Sequence, residues 1–377
     1  MKILMLTSEF APFRGGIGTY ALELARAATA LGHDVTVAAP SYNAEQGADD
    51  ARLPFRVRRF PGGVNRAKDI LAKIRWTIAL SRRESFDVVH AIDWPFFIPL
   101  AMSGYRRTAR CLLTFHGTEI NMMKRPSRRI ILPAIRFWNG WATCIANSRF
   151  TGTHLLQSFP ALSPDRVRSI PLGVRQPDDV AVIERIPART ALGIDDDDVM
   201  MVSLGRVVRR KGLHVTLAAL DLLDPALKSR LVWYVVGPEN DGDYARGIKD
   251  GAAAFGLRAV FTGGIPANDV ERALSAADLF CLPAIWGGDG EFEGFGLVYL
   301  EAALRGVPSI GTALGGIPDA VIDGVTGKLV TPDDPGALAD AIKSLALDSD
   351  LRRVMATQAR DHARRQTWEK VAEETYR

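Results

Sequence analysis

The chain has 377 residues, a length that suggests two domains of ordinary size. Hydrophobic residues make up 47% and charged residues 24%, which excludes a disordered chain, a collagen-like repeat and a small disulfide scaffold. The three cysteines, Cys111, Cys144 and Cys281, lie far apart in apolar runs. We therefore expect reduced thiols, and neither disulfide bonds nor a cysteine zinc site.

Charge is divided unevenly along the chain. Residues 1–176 contain 25 Lys and Arg against 12 Asp and Glu, a net charge of +13, whereas residues 177–377 contain 22 against 31, a net charge of −9. A basic half attracts phosphate groups of any kind, so charge alone does not identify the partner. Nucleic acid is the poorer explanation, because no recognised binding motif accompanies the charge.

The apolar stretches are too short to predict a membrane-spanning helix. The longest of them, residues 130–146, is interrupted by Pro133, Arg136 and Asn139. The apolar run at the N-terminus ends at Glu9 without a small-residue cleavage site, and it is typical of a first strand. The sequence therefore predicts a cytoplasmic protein.

Strand-like and helix-like runs alternate through the first half of the chain. A helix is predicted over residues 16–31, where apolar residues recur at steps of three and four and Gly32 follows as a stop. The predicted strands are residues 2–6, 34–39, 87–92, 111–115 and 142–146, with a last one within 166–174. Such alternation indicates a parallel sheet with helices on both faces.

A second alternating set follows a Pro- and Asp-rich connection at residues 176–187. Its predicted strands are residues 199–204, 231–236, 279–283 and 307–310, with helical runs between them. The fold class is therefore α/β, with two doubly wound Rossmann-like domains, and ligands are expected in a cleft at the carboxyl ends of the strands.

A glycine-rich segment follows the first predicted strand. Gly16 and its neighbours at residues 15–18 let backbone amides at a helix N-terminus approach a phosphate closely. The spacing Gly16-x-Gly18-x-x-Ala21 also fits the dinucleotide fingerprint of an NAD-dependent oxidoreductase. However, no acidic residue ends the second strand to bind a ribose, which weakens that reading. A glycine-rich turn without a ligand is the remaining alternative.

Two basic residues follow the first strand of the second half. Arg206 and Lys211, five residues apart at a strand carboxyl end, suit a diphosphate, because a guanidinium forks onto oxygens and an ammonium adds a point charge. Arg209 and Arg210 are interpreted as solvated neighbours. The alternative is an ordinary basic turn.

A pair of glutamates, Glu293 and Glu301, brackets a glycine-containing helix start. If all the intervening residues were helical, the two would be separated by about 12 Å along the axis. That separation exceeds the roughly 5 to 10 Å of a glycosidase carboxylate pair, so we expect each to contact a different part of one extended ligand. Taken alone, Glu301 is better interpreted as a surface helix glutamate.

These motifs occur together with two others, and the combination resembles one family. The additional motifs are Phe-His-Gly at residues 115–117 and Thr-Trp-Glu-Lys at residues 367–370. Over nearly its whole length the chain resembles the retaining, metal-independent glycosyltransferases of family four (group 1), which have the GT-B fold. The resemblance implies an N-terminal acceptor domain at 1–175, a nucleotide-sugar donor domain at 176–360 and a helix at 361–377 that returns to the first domain.

The resemblance also implies roles for the residues of the donor domain. Arg206 and Lys211 would bind the donor diphosphate, and Glu301 would bind the ribose hydroxyls. Glu293 would hold the transferred sugar together with the backbone of the three following residues, which are Gly294, Phe295 and Gly296.

In the first domain, Gly16 would approach the diphosphate and His116 would lie beside the reacting sugar. The alternative for His116 is a core histidine with satisfied hydrogen bonds.

The sequence departs from the family pattern at the domain junction. The family often has Asn-Gly-Val-Asp there, and this chain has Leu-Gly-Val-Arg at residues 172–175.

No cofactor or metal is expected. Arg206, Lys211 and a helix N-terminus can stabilise the charge that develops on a departing diphosphate. Asp241, Asp243 and the acidic run at residues 195–198 are interpreted as solvent-exposed. The resemblance implies front-face attack, in which the leaving phosphate takes the acceptor proton.

Two basic segments, residues 66–86 and 124–138, mix cations with apolar residues. Each either lies on an anionic membrane surface or packs its apolar face on the sheet and exposes its basic face to water. In the first segment, the residues expected to contact lipid or acceptor are Lys73, Arg75, Arg82 and Arg83.

The leading prediction is a cytoplasmic transferase, peripheral on the inner face of the membrane if the basic segments bind lipid. It would move a hexose from a GDP- or UDP-sugar to a lipid-linked or membrane-proximal glycan. The alternatives are an NAD-dependent oxidoreductase and a nucleotide-sugar binding protein without turnover.

Overall fold

The computed structural model describes residues 1–13, 15–42, 49–61, 69–124, 132–133, 137–176 and 183–377. The chain divides into two compact units. Unit 1 comprises Met1–Gly173 and Trp368–Arg377, and unit 2 comprises Val174–Thr367. No helix among the described residues is long and apolar enough to cross a membrane.

Unit 1 is built on a parallel sheet of seven strands in the order β3-β2-β1-β4-β5-β6-β7. The strands are β1 (Lys2–Leu6), β2 (Asp34–Pro40), β3 (Arg56–Phe60), β4 (Val88–Ala91), β5 (Arg110–Phe115), β6 (Ala142–Ala146) and β7 (Val167–Ser169). The chain order reverses between β1 and β4, and in such sheets the crevice outside this switch point is where ligands bind.

Helices connect these strands. They are α1 (Gly16–Ala30), α2 (Ile70–Ser81), α3 (Phe97–Met102), α4 (Tyr105–Thr108), α5 (Thr118–Met123) and α6 (Arg149–Ser158). The C-terminal helix (Trp368–Tyr376) also belongs to unit 1, and the ring of Trp368 packs edge-on to Tyr20 of α1 at 5.8 Å between centroids. Short 3-10 turns occur at Trp94–Phe96 and Pro164–Arg166.

A buried histidine ties the C-terminal helix to the sheet of unit 1. His90 of β4 is fully buried, and its Nδ1 lies 3.0 Å from the hydroxyl of Tyr376. Its Nε2 lies 2.6 Å from Oγ1 of Thr114 on β5. Burial is the main reason that the pKa of His90 falls from 6.5 to about 3, so the ring is neutral in the folded protein.

We expect His90 to make the protein acid-sensitive. Below pH 6.5 the unfolded chain binds a proton on His90 that the folded chain does not bind until about pH 3. Between pH 6.5 and pH 5 the parent should therefore lose about 2 kcal/mol of unfolding free energy that a His90→Gln variant keeps. Urea unfolding of both proteins at pH 7.5 and 5.0 measures this, and equal losses would contradict it.

Unit 2 repeats the same architecture with six parallel strands in the order β10-β9-β8-β11-β12-β13. The strands are β8 (Val199–Leu204), β9 (Leu231–Val236), β10 (Arg258–Phe261), β11 (Leu279–Cys281), β12 (Ser309–Thr312) and β13 (Gly327–Val330). The chain order reverses between β8 and β11, which defines a second switch point.

The helices of unit 2 are α7 (Arg185–Leu192), α8 (Leu213–Asp221), α9 (Pro225–Arg230), α10 (Gly242–Ala254), α11 (Ala267–Ala276), α12 (Leu297–Leu304), α13 (Ile317–Ala320), α14 (Pro335–Leu347) and α15 (Ser349–Arg365). Two 3-10 turns, Arg209–Lys211 and Gly288–Gly290, lie in its loops.

The predicted fold class is confirmed, and α1 begins at the predicted residue. The strands that the sequence did not predict are β3, β10 and β13, each at the edge of its sheet. The chain passes between units at Gly173–Val174 and Thr367–Trp368, whereas the sequence predicted changes at 175 and 361. The return begins later because α15, over Ser349–Arg365, still belongs to unit 2.

Candidate active site

A basic turn lies at the carboxyl end of β8 in unit 2. Arg206 follows the strand, and the 3-10 turn Arg209–Lys211 leads through Gly212 into α8. Gly212 has a φ of +73°, and a Cβ there would lie 1.8 Å from the carbonyl oxygen of Pro283, which follows β11. Only glycine permits this approach, which places the turn at the switch point between β8 and β11.

Lys211 forms a buried ionic cluster with a glutamate. Its Nζ lies 2.6 Å from Oε2 of Glu293, and Nη1 of Arg210 lies 3.0 Å from the same oxygen. The side chains of Lys211 and Glu293 are 11% and 13% exposed. Burial alone would raise the pKa of Glu293, but the two cations outweigh burial and lower it to about 2. Glu293 is therefore an anion throughout the physiological pH range.

The neighbouring arginines differ in their surroundings. Arg210, interpreted from sequence as solvated, is 18% exposed and bonds Glu293, so that interpretation is wrong. The carboxylate of Glu293 lies 83 residues from Arg210 along the chain, so no local sequence pattern predicts this ion pair. Arg206 and Arg209 are exposed, and neither forms an ion pair with any residue that the structure describes.

The loop from Glu293 to Gly296 leads into α12. Gly294, Phe295 and Gly296 are buried, and the carbonyl of Glu293 accepts a hydrogen bond from the amide of Gly316 at 2.9 Å. The helix begins only at Leu297, so the fully helical separation of about 12 Å between the two glutamates does not apply. The ring of Phe295 is 2% exposed and packs in the core, so its side chain is not available for ligand contact.

Glu301 lies on α12 and is half-buried, unlike an ordinary surface glutamate. Burial raises the pKa of its carboxyl group, which Arg305 partly offsets. Among the described residues, none donates a hydrogen bond to this carboxylate. A desolvated carboxylate without a protein partner is able to accept hydrogen bonds from hydroxyl groups of a ligand.

The acidic residues that were weighed as metal ligands instead form hydrogen bonds and ion pairs within unit 2. Asp241 caps α10 by accepting from the amide of Tyr244, and Asp243 pairs with Arg246 at 3.3 Å. Asp198, expected in solvent, is instead buried and paired with Arg258. Within the described ranges, no group of three or more His, Cys, Asp or Glu residues is placed to hold a metal ion.

In unit 1, Gly16 is the first residue of α1 and His116 follows β5. A Cβ added at Gly16 would meet no atom within 4 Å, so the backbone there is open to a ligand. His116 Nε2 lies 2.9 Å from the carbonyl oxygen of Ile92 and therefore carries the ring proton that it donates. Burial lowers the pKa of His116, which keeps the ring neutral with Nδ1 as an acceptor.

Two buried acids near His116 were not singled out from the sequence. Glu119 accepts a hydrogen bond from the backbone amide of His116 at 3.0 Å, and burial raises its pKa to about 7. Asp93 accepts from the amide of Ser8 at 2.9 Å, across the switch point between β1 and β4. Burial raises its pKa to about 6. The available signal was their position, because Asp93 directly follows one predicted strand and Glu119 lies in the short segment after another.

The expected membrane or acceptor residues do not share one surface. Lys73 is 3% exposed, with Nζ 5.5 Å from the ring centroid of Phe96, so its expected contact with lipid is wrong. It lies with Thr77 and Leu80 on the buried face of α2. Arg75, Arg82 and Arg83 are exposed as expected. Arg66, Lys68 and most of the second basic segment lie outside the described residues.

Known families match both units. Residues 14–176 match "Glycosyltransferase Family 4", and residues 184–362 match "Glycosyl transferases group 1". With two Rossmann-like units, this defines a glycosyltransferase of GT-B architecture. The chain belongs to the group 1, family four glycosyltransferases. The oxidoreductase alternative is therefore wrong, and membership of an enzyme family counts against a binding protein without turnover.

Among similar proteins, a "GDP-mannose-dependent alpha-(1-6)-phosphatidylinositol monomannoside mannosyltransferase" of Mycolicibacterium smegmatis is 31% identical, covering 96% of this chain and 93% of the relative. A Corynebacterium glutamicum mannosyltransferase for the monoacylated form of that lipid is 27% identical, covering 99% and 96%. Among solved structures, Anabaena HepE with UDP and glucose has a TM-score of 0.77 at 21% identity, covering 100% and 98%. At that identity the likeness supports the fold.

Proposed function

We propose that this protein is a retaining, metal-independent hexosyltransferase that uses a GDP- or UDP-sugar and glycosylates a lipid-linked or membrane-proximal glycan. The observation that carries the proposal is the cluster of Lys211, Arg210 and Glu293 at the second switch point, beside Arg206, which forms no ion pair with any described residue. The mannosyltransferase relatives favour GDP-mannose as the first donor to test, and a phosphatidylinositol glycoside as the first acceptor.

The cluster suits a sugar diphosphate for an electrostatic reason. Arg206 has no anionic partner among the described residues, so a diphosphate can become its partner. Lys211 and Arg210 hold Glu293 ionised, and a carboxylate accepts hydrogen bonds from sugar hydroxyls. We assign the diphosphate to Arg206 and Lys211, and the transferred sugar to Glu293 with the backbone of Gly294 and Gly296.

Bond breaking places additional negative charge on the departing diphosphate. Fixed cations beside that charge lower the barrier, because they need no reorganisation during the reaction. The leaving phosphate oxygen then accepts the proton of the acceptor hydroxyl as that hydroxyl attacks from the same face, which retains the anomeric configuration. Glu301 is assigned to the ribose hydroxyls of the donor.

Transfer assays with GDP-mannose, UDP-glucose and other sugar nucleotides test this function, with a phosphatidylinositol glycoside as acceptor. We expect one donor to support transfer and NMR of the product to show the anomeric configuration of the donor. Arg206→Ala should reduce donor use about tenfold or more, whereas Arg209→Ala, an exposed residue of the same turn, should not. Equal effects of the two substitutions, or donor binding without turnover, would contradict the proposal.

We expect transferase activity to persist in excess EDTA. The cations of the cluster and the N-terminus of α12 take the place that a divalent metal occupies in other transferases. The measurement compares initial rates with EDTA alone and with EDTA followed by Mg²⁺. If the rate collapsed with EDTA and Mg²⁺ restored it, the metal-independent mechanism would be wrong.

We also propose that unit 1 binds an anionic membrane surface through the exposed basic residues of α2 and the turn after it. Each cation near such a surface contributes about 1 kcal/mol, so changing Arg75, Arg82 and Arg83 to Ser should release the protein from phosphatidylglycerol vesicles. Pelleting of the parent should decrease with salt. A matched control changes three exposed arginines of unit 2, Arg230, Arg246 and Arg365, to Ser. Equal pelleting of the two variants would contradict this proposal.

A further inference from the structure

Unit 2 has a groove of about 780 Å³ at the amino-terminal ends of its strands, on the side of the sheet away from the basic turn. Asp278, which lines it, directly precedes β11, and Pro308, which also lines it, directly precedes β12. Arg206 and Lys211 instead follow the carboxyl end of β8. Because these strands are parallel, the groove and the proposed donor site lie at opposite ends of the strands. No residue of the groove has a role in the proposed function.

The groove is rich in arginine although unit 2 lies in the acidic half of the chain. Among the described residues, the acids that line it are Glu184 and Asp278. Its arginines are Arg185, Arg305, Arg352, Arg353, Arg360 and Arg364. The lining therefore carries an excess of positive charge that the overall charge of this half does not predict.

Acidic side chains compensate three of these arginines. Arg185 pairs with Asp278 at 2.7 Å, and Arg353 pairs with Asp350 at 2.7 Å. Arg305 forms a two-pronged pair with Glu271. These three guanidiniums are accounted for by the fold.

The other three arginines have no acidic partner among the described residues. Arg352 donates to the carbonyls of Leu345 and Ala346 at 2.5 and 2.7 Å. Arg360 donates to the carbonyl of Arg305 at 3.3 Å, and Arg364 has no hydrogen bond to any described residue.

Arg360 and Arg364 lie four residues apart on α15, and Arg352 lies eight residues before Arg360, so the three project within about 120° of one another around the helix. Like charges four residues apart repel weakly, and an anion beside Arg360 and Arg364 would relieve that repulsion.

The backbone comes close to the guanidinium of Arg360. Gly306 has a φ of +70°, and a Cβ there would lie 2.3 Å from Nη2 of Arg360. The glycine therefore leaves room for this guanidinium at the wall of the groove.

We propose that this groove binds a soluble small molecule that carries two or more phosphate groups. Guanidiniums bind phosphate oxygens in pairs of parallel hydrogen bonds, and three uncompensated guanidiniums suit more than one phosphate. The volume falls within the range of small-molecule sites. A concave wall also suits such a ligand better than the flat surface of a membrane.

Calorimetric titration of inorganic triphosphate into the full-length protein tests this site. Lys211→Ala removes a cation of the donor site, Arg364→Gln removes one from the groove, and Arg365→Gln is the matched control on the next, exposed residue of the same helix. We expect Arg364→Gln to weaken binding about tenfold, equivalent to about 1.4 kcal/mol. Arg365→Gln should change it less than twofold, and Lys211→Ala should leave this binding event intact.

Several results would overturn the proposal. Triphosphate binding that is lost in Lys211→Ala but kept in Arg364→Gln would assign the probe to the donor site. Equal weakening of triphosphate binding by Arg364→Gln and Arg365→Gln would show a general charge effect. No triphosphate binding at all would show that the groove is not a phosphate site. Phosphatidylglycerol vesicles that Arg364→Gln releases, without any triphosphate binding, would assign these arginines to a membrane.

Discussion

Lys211→Ala is expected to decrease kcat/KM for the donor roughly 10- to 150-fold, equivalent to about 1.5 to 3 kcal/mol for a lost charge-assisted hydrogen bond. Unlike Arg206→Ala, it should also decrease the free energy of unfolding, by about 2 kcal/mol. The reason is that it removes one of the two cations that compensate the buried carboxylate of Glu293. Arg210 still pairs with that carboxylate, which limits the loss. Initial rates and urea unfolding measure the two effects.

A double variant separates stability from donor binding. Lys211→Ala combined with Glu293→Gln removes both members of the closest ion pair and leaves Arg210 to pair with Glu291, so much of the unfolding free energy should return. Donor use should not return, because the diphosphate still lacks its ammonium and the sugar also loses the carboxylate of Glu293. Recovery of both quantities together would contradict the assignment of Lys211 and Glu293 to the donor. Arg209→Ala, on the same turn and exposed, is the control that should change neither quantity.

His116→Ala is expected to decrease kcat about 100-fold while the KM for the donor changes little. The neutral ring donates its Nε2 proton to Ile92, and we propose that the free Nδ1 accepts a hydrogen bond from a hydroxyl of the bound sugar. That hydrogen bond would strengthen as charge develops on the sugar. Because burial lowers the pKa of His116, its contribution should be constant from pH 8 down to the ordinary histidine range near 6.5.

His116→Gln is the informative comparison. Its side-chain amide nitrogen occupies the position of Nε2 and can still donate to the carbonyl of Ile92, so the loop keeps its hydrogen bond while the imidazole is removed. We expect this variant to fold like the parent and to show nearly the full loss of kcat. If kcat returned to the parent value, His116 would be a structural residue with satisfied hydrogen bonds. Glu119, which accepts from the backbone amide at residue 116, should be unaffected by either change.

The sequence determined the elements that lie in the middle of each sheet. Strands β1, β6, β8 and β9 begin and end at the predicted residues, because a strand covered by helices on both faces is a continuous apolar run. Strands β3, β10 and β13 were not predicted, because an edge strand pairs on one side only and can contain sequences such as Arg-Val-Arg-Arg-Phe. The sequence also determined the family, through residues that stand at strand carboxyl ends.

Only the tertiary structure decided which charged residues are paired. Arg210, Lys211 and Glu293 come together because strands distant in the sequence end at one switch point, and burial then makes their pairing strong. In the same way, Lys73 is buried because it lies on the face of α2 that packs inward, whereas its neighbour Arg75 is exposed. Local sequence specifies the identity and approximate position of a charge. Its partner and its exposure depend on contacts between distant segments, which the folded chain alone establishes.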